Sequence, residues 1–301
     1  MPRWLCAPSE GGAEHARGPG LTFVSLAGNV LHVAVEAVVV ALLTKSACFL
    51  KAASRDRCSR RCWPALGRAD RRLGAALAVA WWPGGDTEFE AAATAAAGAV
   101  IAYGSAAAVE SLRARVPAGA RFVAHGPKVS LAVVEAGSCT WDTARALALD
   151  ISVYDQQGCV APHTVYVVSD SGAAARFAGL LAGAMATVQA ELPAGRLGAA
   201  DAVAIQQARG AAEFAPGAAV HAPNGGAEWT VVFEPAPDFR GSCLNRVVYV
   251  KPLSDLGALP GAVHSVDGLV QTVGVAGSRI RRGRRPNRGG GRRLASAPSA
   301  A

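Results

Sequence analysis

The chain has 301 residues, 51% of them hydrophobic and only 17% charged. Such a length excludes a disulfide-stapled miniprotein and allows one large domain or two, at roughly 100 to 200 residues each; the apolar content excludes general disorder, because it can offset the ordering entropy of folding. The net charge of +8 equals the eight arginines between Arg279 and Arg293, a stretch without acids, so the basic character belongs to a tail and not to a nucleic-acid-binding face.

Residues 1–20 show no periodic pattern and read as an irregular leader. From there short β-branched runs alternate with longer Ala/Leu-rich runs, the pattern of βαβ units around a largely parallel sheet. Leu21 to Leu26 reads as a strand, Val33 to Leu43 as a helix buried on most sides, and Ala47 to Lys51 as a second strand. Arg55 to Arg72 is basic and reads as a surface turn followed by a helix into Val79. Asp86 to Ala97 has an acidic first turn, as a helix start should, and Ala99 to Tyr103 is a short strand closing on Gly104, with Ser105 opening another helix.

Further on, Arg121 to Ala124, Ser130 to Glu135 and Thr164 to Val168 are expected strands, with a helix over Thr140 to Ile151. Gly172 to Glu191 and Ala199 to Gly210 are expected helices. Trp229 to Glu234, Arg246 to Val250 and Val270 to Val275 are expected strands, with a small helix near Leu253 to Leu259. Beyond Gly277 the composition turns to Arg, Gly, Ser, Ala and Pro, and an ordered fold is not expected.

Leu21 to Leu43 is long and apolar enough to span a bilayer, but Asn29, His32 and Glu36 fall inside it and Gly28-Asn29 reads as a break between strand and helix. No membrane span is expected. The seven cysteines are odd in number and scattered, which suits reduced thiols in the cytoplasm better than a disulfide framework. Cys58 and Cys62 have no second Cys/His pair at metal-ligand spacing, so no metal is expected.

Cys159 lies in Asp155-Gln156-Gln157-Gly158-Cys159, between a helix and a strand, where reactive groups are displayed on a rigid scaffold and the glycine lets another molecule approach. Alone, the residue reads more simply as a small buried hydrophobe. Its company changes that reading. FVSLAGNVLHVAVEAVVVALLTKSACFLKAAS (residues 23–54), VIAYGS (100–105), HGPKVS (125–130), LDISVYDQQGCVAPHTVYV (149–167) and LNRVVYVKPLSDL (244–256) follow in order. Together they resemble the aldehyde dehydrogenase superfamily, and within it the LuxC-type acyl-CoA reductases, over residues 21–277.

The resemblance implies an α/β, aldehyde-dehydrogenase-like protein: a Rossmann-like NAD(P)-binding domain over 21–148, an α/β catalytic domain over 149–277, the site in the cleft between them, and a disordered tail over 278–301. It implies Cys159 as the nucleophile that accepts an acyl group from a thioester. Asn29, of the Gly-Asn turn, would hold the developing oxyanion with the nucleophile's backbone N–H; the plain alternative is a turn residue. Lys51 would reach the adenosine ribose and favour a 2′-phosphate, its alternative being a solvated strand-end lysine. Gly104 and Ser105 would meet the pyrophosphate at a helix N-terminus. The cofactor implied is NADPH.

Where dehydrogenases that hydrolyse their acyl-enzyme carry a Glu-Leu-Gly-Gly-Lys motif, this chain reads Ala124-His125-Gly126-Pro127-Lys128, so the water-activating glutamate is missing. An acyl-enzyme without that base can await hydride. The expected reaction is therefore reduction of a fatty acyl-CoA or acyl-protein thioester to a fatty aldehyde. His125 as a substitute base, and His163 as a group tuning the thiolate, are both weaker than structural roles.

Departures from the family are also legible. The N-terminal region that precedes its cofactor domain is not seen, Leu31-His32 replaces the proline after Gly28-Asn29-Val30, and the arginine tail follows Gly277. The acidic residue of the nicotinamide ribose has no clear counterpart near Arg240 to Asn245. A homo-oligomer or a complex with an acyl-transferring protein is an expected assembly, with no specific nucleic-acid partner. The alternatives are a non-acylating aldehyde dehydrogenase, which Ala124 disfavours, and an inactive fragment whose basic tail binds polyanions.

Overall fold

A computed structural model describes residues 6–9, 12–30, 32–53 and 59–277. They form two compact units that divide between Pro127 and Lys128. The family resemblance puts the domain boundary twenty-one residues later, at 148/149; here the strand and helix in between belong to the second unit because the strand pairs within the second sheet. The arginine tail and Cys58 lie outside the described residues.

The first unit opens with strands β1 (Cys6–Ser9) and β2 (Gly12–His15), paired antiparallel within the stretch expected to be irregular. It continues with β3 (Leu21–Ser25), α1 (His32–Leu43), β4 (Ala47–Lys51), α2 (Ser59–Ala69), α3 (Arg71–Ala75), β5 (Leu77–Ala80), α4 (Thr87–Ala96), β6 (Ala99–Tyr103), α5 (Ala106–Arg113) and β7 (Arg121–His125). Strand β5 replaces the tail end of the helix expected to run into Val79. Four residues of Leu, Ala and Val carry no period that separates strand from helix, and pairing with β4 decides the matter.

The sheet order is β5-β4-β3-β6-β7 with every pair parallel. Alternation along the strands sends Phe23 and Val100 to the face packed with Ala93 of α4, Ala97 just after it, and Val109 and Leu112 of α5. Val24 and Leu50 go to the other face, against Ala34, Ala37, Val38 and Ala41 of α1. Helix α1 is less enclosed than its composition suggests: Val35, Val39 and Val40 remain exposed. With twelve residues it is about 18 Å long, too short to cross a bilayer, so the apolar stretch from Leu21 to Leu43 resolves into a strand and a short helix.

The second unit runs β8 (Val129–Glu135), α6 (Trp141–Ser152), β9 (Pro162–Val168), α7 (Ser171–Glu191), α8 (Ala199–Glu213), β10 (Ala219–His221), β11 (Thr230–Phe233), β12 (Val247–Leu253), α9 (Leu259–Ala262) and β13 (Val270–Ala276). The sheet order is β10-β11-β12-β9-β8-β13; β10, three residues long and not foreseen, is antiparallel to β11, and the others are parallel. Strands β8 and β9 are buried nearly throughout, as a parallel sheet covered on both faces requires.

One face packs Val134, Val165, Val167 and Val248 against Ile151 of α6 and Phe177, Leu181 and Met185 of α7. The opposite face holds Leu131, Tyr166 and Leu253, and beside them Val232 and Val247 against Ile205 of α8. Asp170 caps α7 by accepting from the Ala173 N–H at 2.7 Å, and Thr140 caps α6. Among the described residues α7 is the one helix long and apolar enough to cross a membrane, yet eight of its residues are buried in this core.

Candidate functional site

In the second unit the loop joining α6 to β9 carries Cys159. Ala161 N–H donates to the Gly158 carbonyl at 3.0 Å, closing a β-turn with Cys159 at its second position. The thiol is exposed, and a side chain built on Gly158 would meet nothing within 4 Å. The Ser130 hydroxyl donates to the Cys159 carbonyl at 2.7 Å, which ties the turn to β8. The Gln271 Nε2 amide of β13 donates to the Cys159 Sγ at 3.2 Å.

The approach to this turn is held by unusual backbone. Tyr154, Asp155 and Gln156 have φ of 53°, 51° and 63°, and Leu244, Asn245 and Arg246 have 66°, 54° and 63°. Each non-glycine residue in this left-handed region costs of order 1–3 kcal/mol and persists where its surroundings over-determine it. Those surroundings are visible. Asn245 N–H donates to the Asp155 carbonyl at 3.1 Å, and Arg246 Nε donates to Asp155 Oδ1 at 2.7 Å. Gln156 is fully buried, donating to the Pro162 carbonyl at 2.8 Å and accepting from the Ser242 hydroxyl at 3.2 Å.

His163 does not serve the thiol in this arrangement. Its Nδ1 accepts from the Ser242 N–H at 3.1 Å, and burial pushes the imidazole below its ordinary value, favouring the neutral ring. Lys128 Nζ donates to the Gly268 carbonyl at 3.1 Å, fastening the turn that leads into β13 and Gln271. Gln271, Ser130 and the Asp155–Arg246 pair were not singled out from sequence. The available signal for Gln271 was an amide side chain inside the otherwise strand-forming run Leu269-Val270-Gln271-Thr272-Val273.

The first unit gathers the other candidates at one edge. Its strand order reverses at β3: the chain moves outward to β4 and β5, then returns on the other side to β6 and β7. Sheets of this kind bind ligands outside the strand C-termini at that reversal. Asn29, exposed, follows β3, and Gly104-Ser105 follows β6. The Ser105 hydroxyl caps α5, accepting from the Ala108 N–H at 3.3 Å, so a phosphate there would use backbone N–H groups of the first turn. A side chain on Gly104 would come within 3.3 Å of Ala108 Cβ.

His125 stacks on Tyr103 with ring centroids 4.4 Å apart and 7° between planes, beside Gly104. That contact gives His125 a structural role next to the turn. Lys51, at the C-terminal end of β4, is not a solvated lysine: its Nζ lies 3.3 Å from Glu90 Oε1 and 5.6 Å from the Trp82 ring centroid. Asn29, Lys51, Gly104 and Ser105 thus belong to the first unit and Cys159 to the second. Lys51 and the Gly104-Ser105 turn stand at strand C-termini of one sheet, and by donor set, a cation and helix N–H groups, they fit a dinucleotide.

Solved structures share this architecture. An NAD-dependent benzaldehyde dehydrogenase from Corynebacterium glutamicum superposes with a TM-score of 0.71 at 16% identity, covering 92% of this chain and 64% of that one. An NADP-dependent glyceraldehyde-3-phosphate dehydrogenase from Bacillus halodurans C-125, complexed with NADP, gives 0.70 at 15% identity, covering 89% and 58%. The fold is therefore aldehyde-dehydrogenase-like. Among curated proteins, the long-chain acyl-protein thioester reductase of Aliivibrio fischeri is 29% identical over 245 residues, 80% of this chain and 50% of its own. The long-chain acyl-protein thioester reductase 2 of Photobacterium leiognathi is 27% identical over 259 residues, 83% of this chain and 52% of its own. The chain spans about half the length of these relatives. Residues 1–288 match the family described as acyl-CoA reductase (LuxC), and the chain belongs to that family.

Proposed function

We propose that this protein reduces a fatty acyl thioester to a fatty aldehyde with NADPH, through an acyl group carried on Cys159. The observation that carries the reading is an exposed thiol on a clamped β-turn with an amide donor 3.2 Å from its sulfur. The relatives' names, long-chain acyl-protein thioester reductases, support a long-chain acyl donor on a protein, and the family's description supports one on CoA. Val160, next to the nucleophile, is 61% exposed, and Val153 and Tyr154 on the same loop are also exposed, an apolar surface suited to an acyl chain.

In the reaction the Cys159 thiolate attacks the thioester carbonyl, a carbon–sulfur bond forms, and the carrier thiolate leaves with its electron pair. Asn29 is assigned as a donor to the oxyanion of that step. The nicotinamide supplies hydride when bound. Lys51, Gly104 and Ser105 hold the dinucleotide, and Ala124, where hydrolytic relatives of the superfamily carry a glutamate, leaves water unactivated. The reading includes a cytoplasmic setting, from the odd and scattered cysteines, and an acyl-transferring protein or a second copy of the chain as partner.

Incubation with palmitoyl-CoA followed by intact-mass measurement tests this. One added palmitoyl group is expected, absent in Cys159→Ser and released as aldehyde on addition of NADPH. A wild-type chain that gains no acyl mass overturns the reading.

A further inference from the structure

Three titratable side chains on the segments around Cys159 are engaged elsewhere. Asp155 is paired with Arg246, the Lys128 ammonium donates to the Gly268 carbonyl, and the neutral ring of His163 accepts from Ser242. The sulfur is instead met by a neutral amide. Gln271 sits near the start of β13, whose register on β8 is set by Val270 opposite Val129 and Thr272 opposite Ser130, with an irregularity between them. The residue displaced by that irregularity is Gln271, and Ser130 is the residue that holds the Cys159 carbonyl. One strand pair therefore positions both the backbone of the nucleophile and the donor to its sulfur.

We propose that Gln271 is a catalytic residue that stabilises negative charge on the Cys159 sulfur at both ends of the reaction. This inference rests on the thioester-reductase reading above. When the thiolate attacks, its charge is spent in the new carbon–sulfur bond and the carrier thiolate departs. After hydride from the reduced nicotinamide adds to the acyl carbon, the resulting thiohemiacetal alkoxide collapses: the carbon–sulfur bond breaks, its electron pair returns to the sulfur, and the aldehyde leaves. The sulfur is anionic before the first step and after the last. A hydrogen bond to an ion is roughly twice as strong as one between neutral groups, so the Gln271 amide favours the ionised, reactive form of the thiol before attack, at a partial cost in nucleophilicity, and the sulfur as leaving group in the last step.

The test compares wild type with Gln271→Leu, Gln271→Asn and Gln271→Glu, each checked for an unchanged thermal transition. The first readout is the rate of iodoacetamide labelling at Cys159, followed by peptide mass mapping at one fixed neutral pH so that Cys62 and the other thiols are scored separately. The second is the rate of acylation by palmitoyl-CoA. Loss of a hydrogen bond to a charged group predicts a slowing of about tenfold in both for Gln271→Leu. Gln271→Glu, which puts a carboxylate against the thiolate, should be slower still, and Gln271→Asn should recover part of the rate.

Gln271→Leu labelled and acylated at wild-type rates overturns the proposal while leaving the reductase reading intact. Wild type labelled in a Gln271-dependent way but never acylated overturns the reductase reading and leaves the sulfur donor standing. An effect on the thermal transition equal for all three substitutions, with labelling unchanged, assigns Gln271 to structure and also overturns it.

Discussion

Arg246 and Asp155 stand 91 positions apart in sequence and meet at 2.7 Å, joining the left-handed turn that leads into the nucleophile's loop to the one that leads into β12. Arg246 is 2% exposed and also donates to Gln189 at 2.8 Å and to the Leu192 carbonyl at 2.9 Å. Arg246 is buried but Asp155 is 30% exposed and keeps the Gly195 N–H, so Arg246→Ala, which loses hydrogen bonds to Asp155, Gln189 and Leu192, should lower unfolding stability by about 2–3 kcal/mol. Arg246→Lys should lose less but not nothing, because one ammonium cannot reproduce a planar fork facing three acceptors. Urea denaturation measures both; a loss of only a few tenths for Arg246→Ala would show that the turns hold themselves.

Lys45 occupies the position that ends α1, with φ of 65° and its side chain exposed. Ser46 N–H donates to the Ala41 carbonyl at 2.9 Å and Lys45 N–H to the Leu42 carbonyl at 3.1 Å, the paired bonds of a helix stop that favours glycine. Lys45→Gly should raise stability by about 1 kcal/mol, and Lys45→Val should lower it, since a β-branched residue resists that conformation. Equal denaturation midpoints for the two variants would contradict the assignment.

His163 should make stability fall on acidification. Burial holds the folded imidazole below its ordinary value of 6.5, so as the pH drops the unfolded chain takes up the proton first. The contribution is complete above the ordinary value and is lost as the pH falls through it towards the folded one. Between about pH 7.5 and about pH 5.5 the denaturation midpoint of wild type should therefore decline more than that of His163→Asn, whose amide oxygen can still accept from Ser242. Parallel declines would remove His163 as the cause.

Glu90 holds Lys51 in an ion pair with both side chains largely buried. If Lys51 meets the adenosine ribose, the carboxylate offsets the charge offered to a 2′-phosphate. Glu90→Gln should then tighten NADPH by about fivefold, of order 1 kcal/mol for a near-surface charge, with little change for NADH. Titration of reduced-nicotinamide fluorescence checks this, and equal tightening of both cofactors would place Glu90 in folding rather than selection.

Many of the elements were legible because local signals agreed. Asp86, Ser105, Thr140 and Asp170 each precede a helix and cap it through the side chain. Strand Ala99–Tyr103 is bounded by Gly98 and Gly104 and Ala47–Lys51 follows Ser46, and both carry apolar, β-branched or aromatic residues. Strands β5 and β10 and the leader hairpin were not, because three or four residues hold too little pattern to separate pairing from coil.

By itself the sequence determined the alternation of strands and helices, hence a parallel α/β protein, and Cys159 stood out only through the ordered set of segments that resemble the family. Those are properties of order along the chain. Gln271, 112 positions from Cys159, and the pairing of Asp155 with Arg246 were decided only by the tertiary structure. Sheet pairing brings distant residues together through β-sheet register, and a register depends on which strands lie side by side, which no local pattern encodes. The same reason moved the unit boundary to Pro127: strand β8 reads alike in either sheet until its partners β9 and β13 are known.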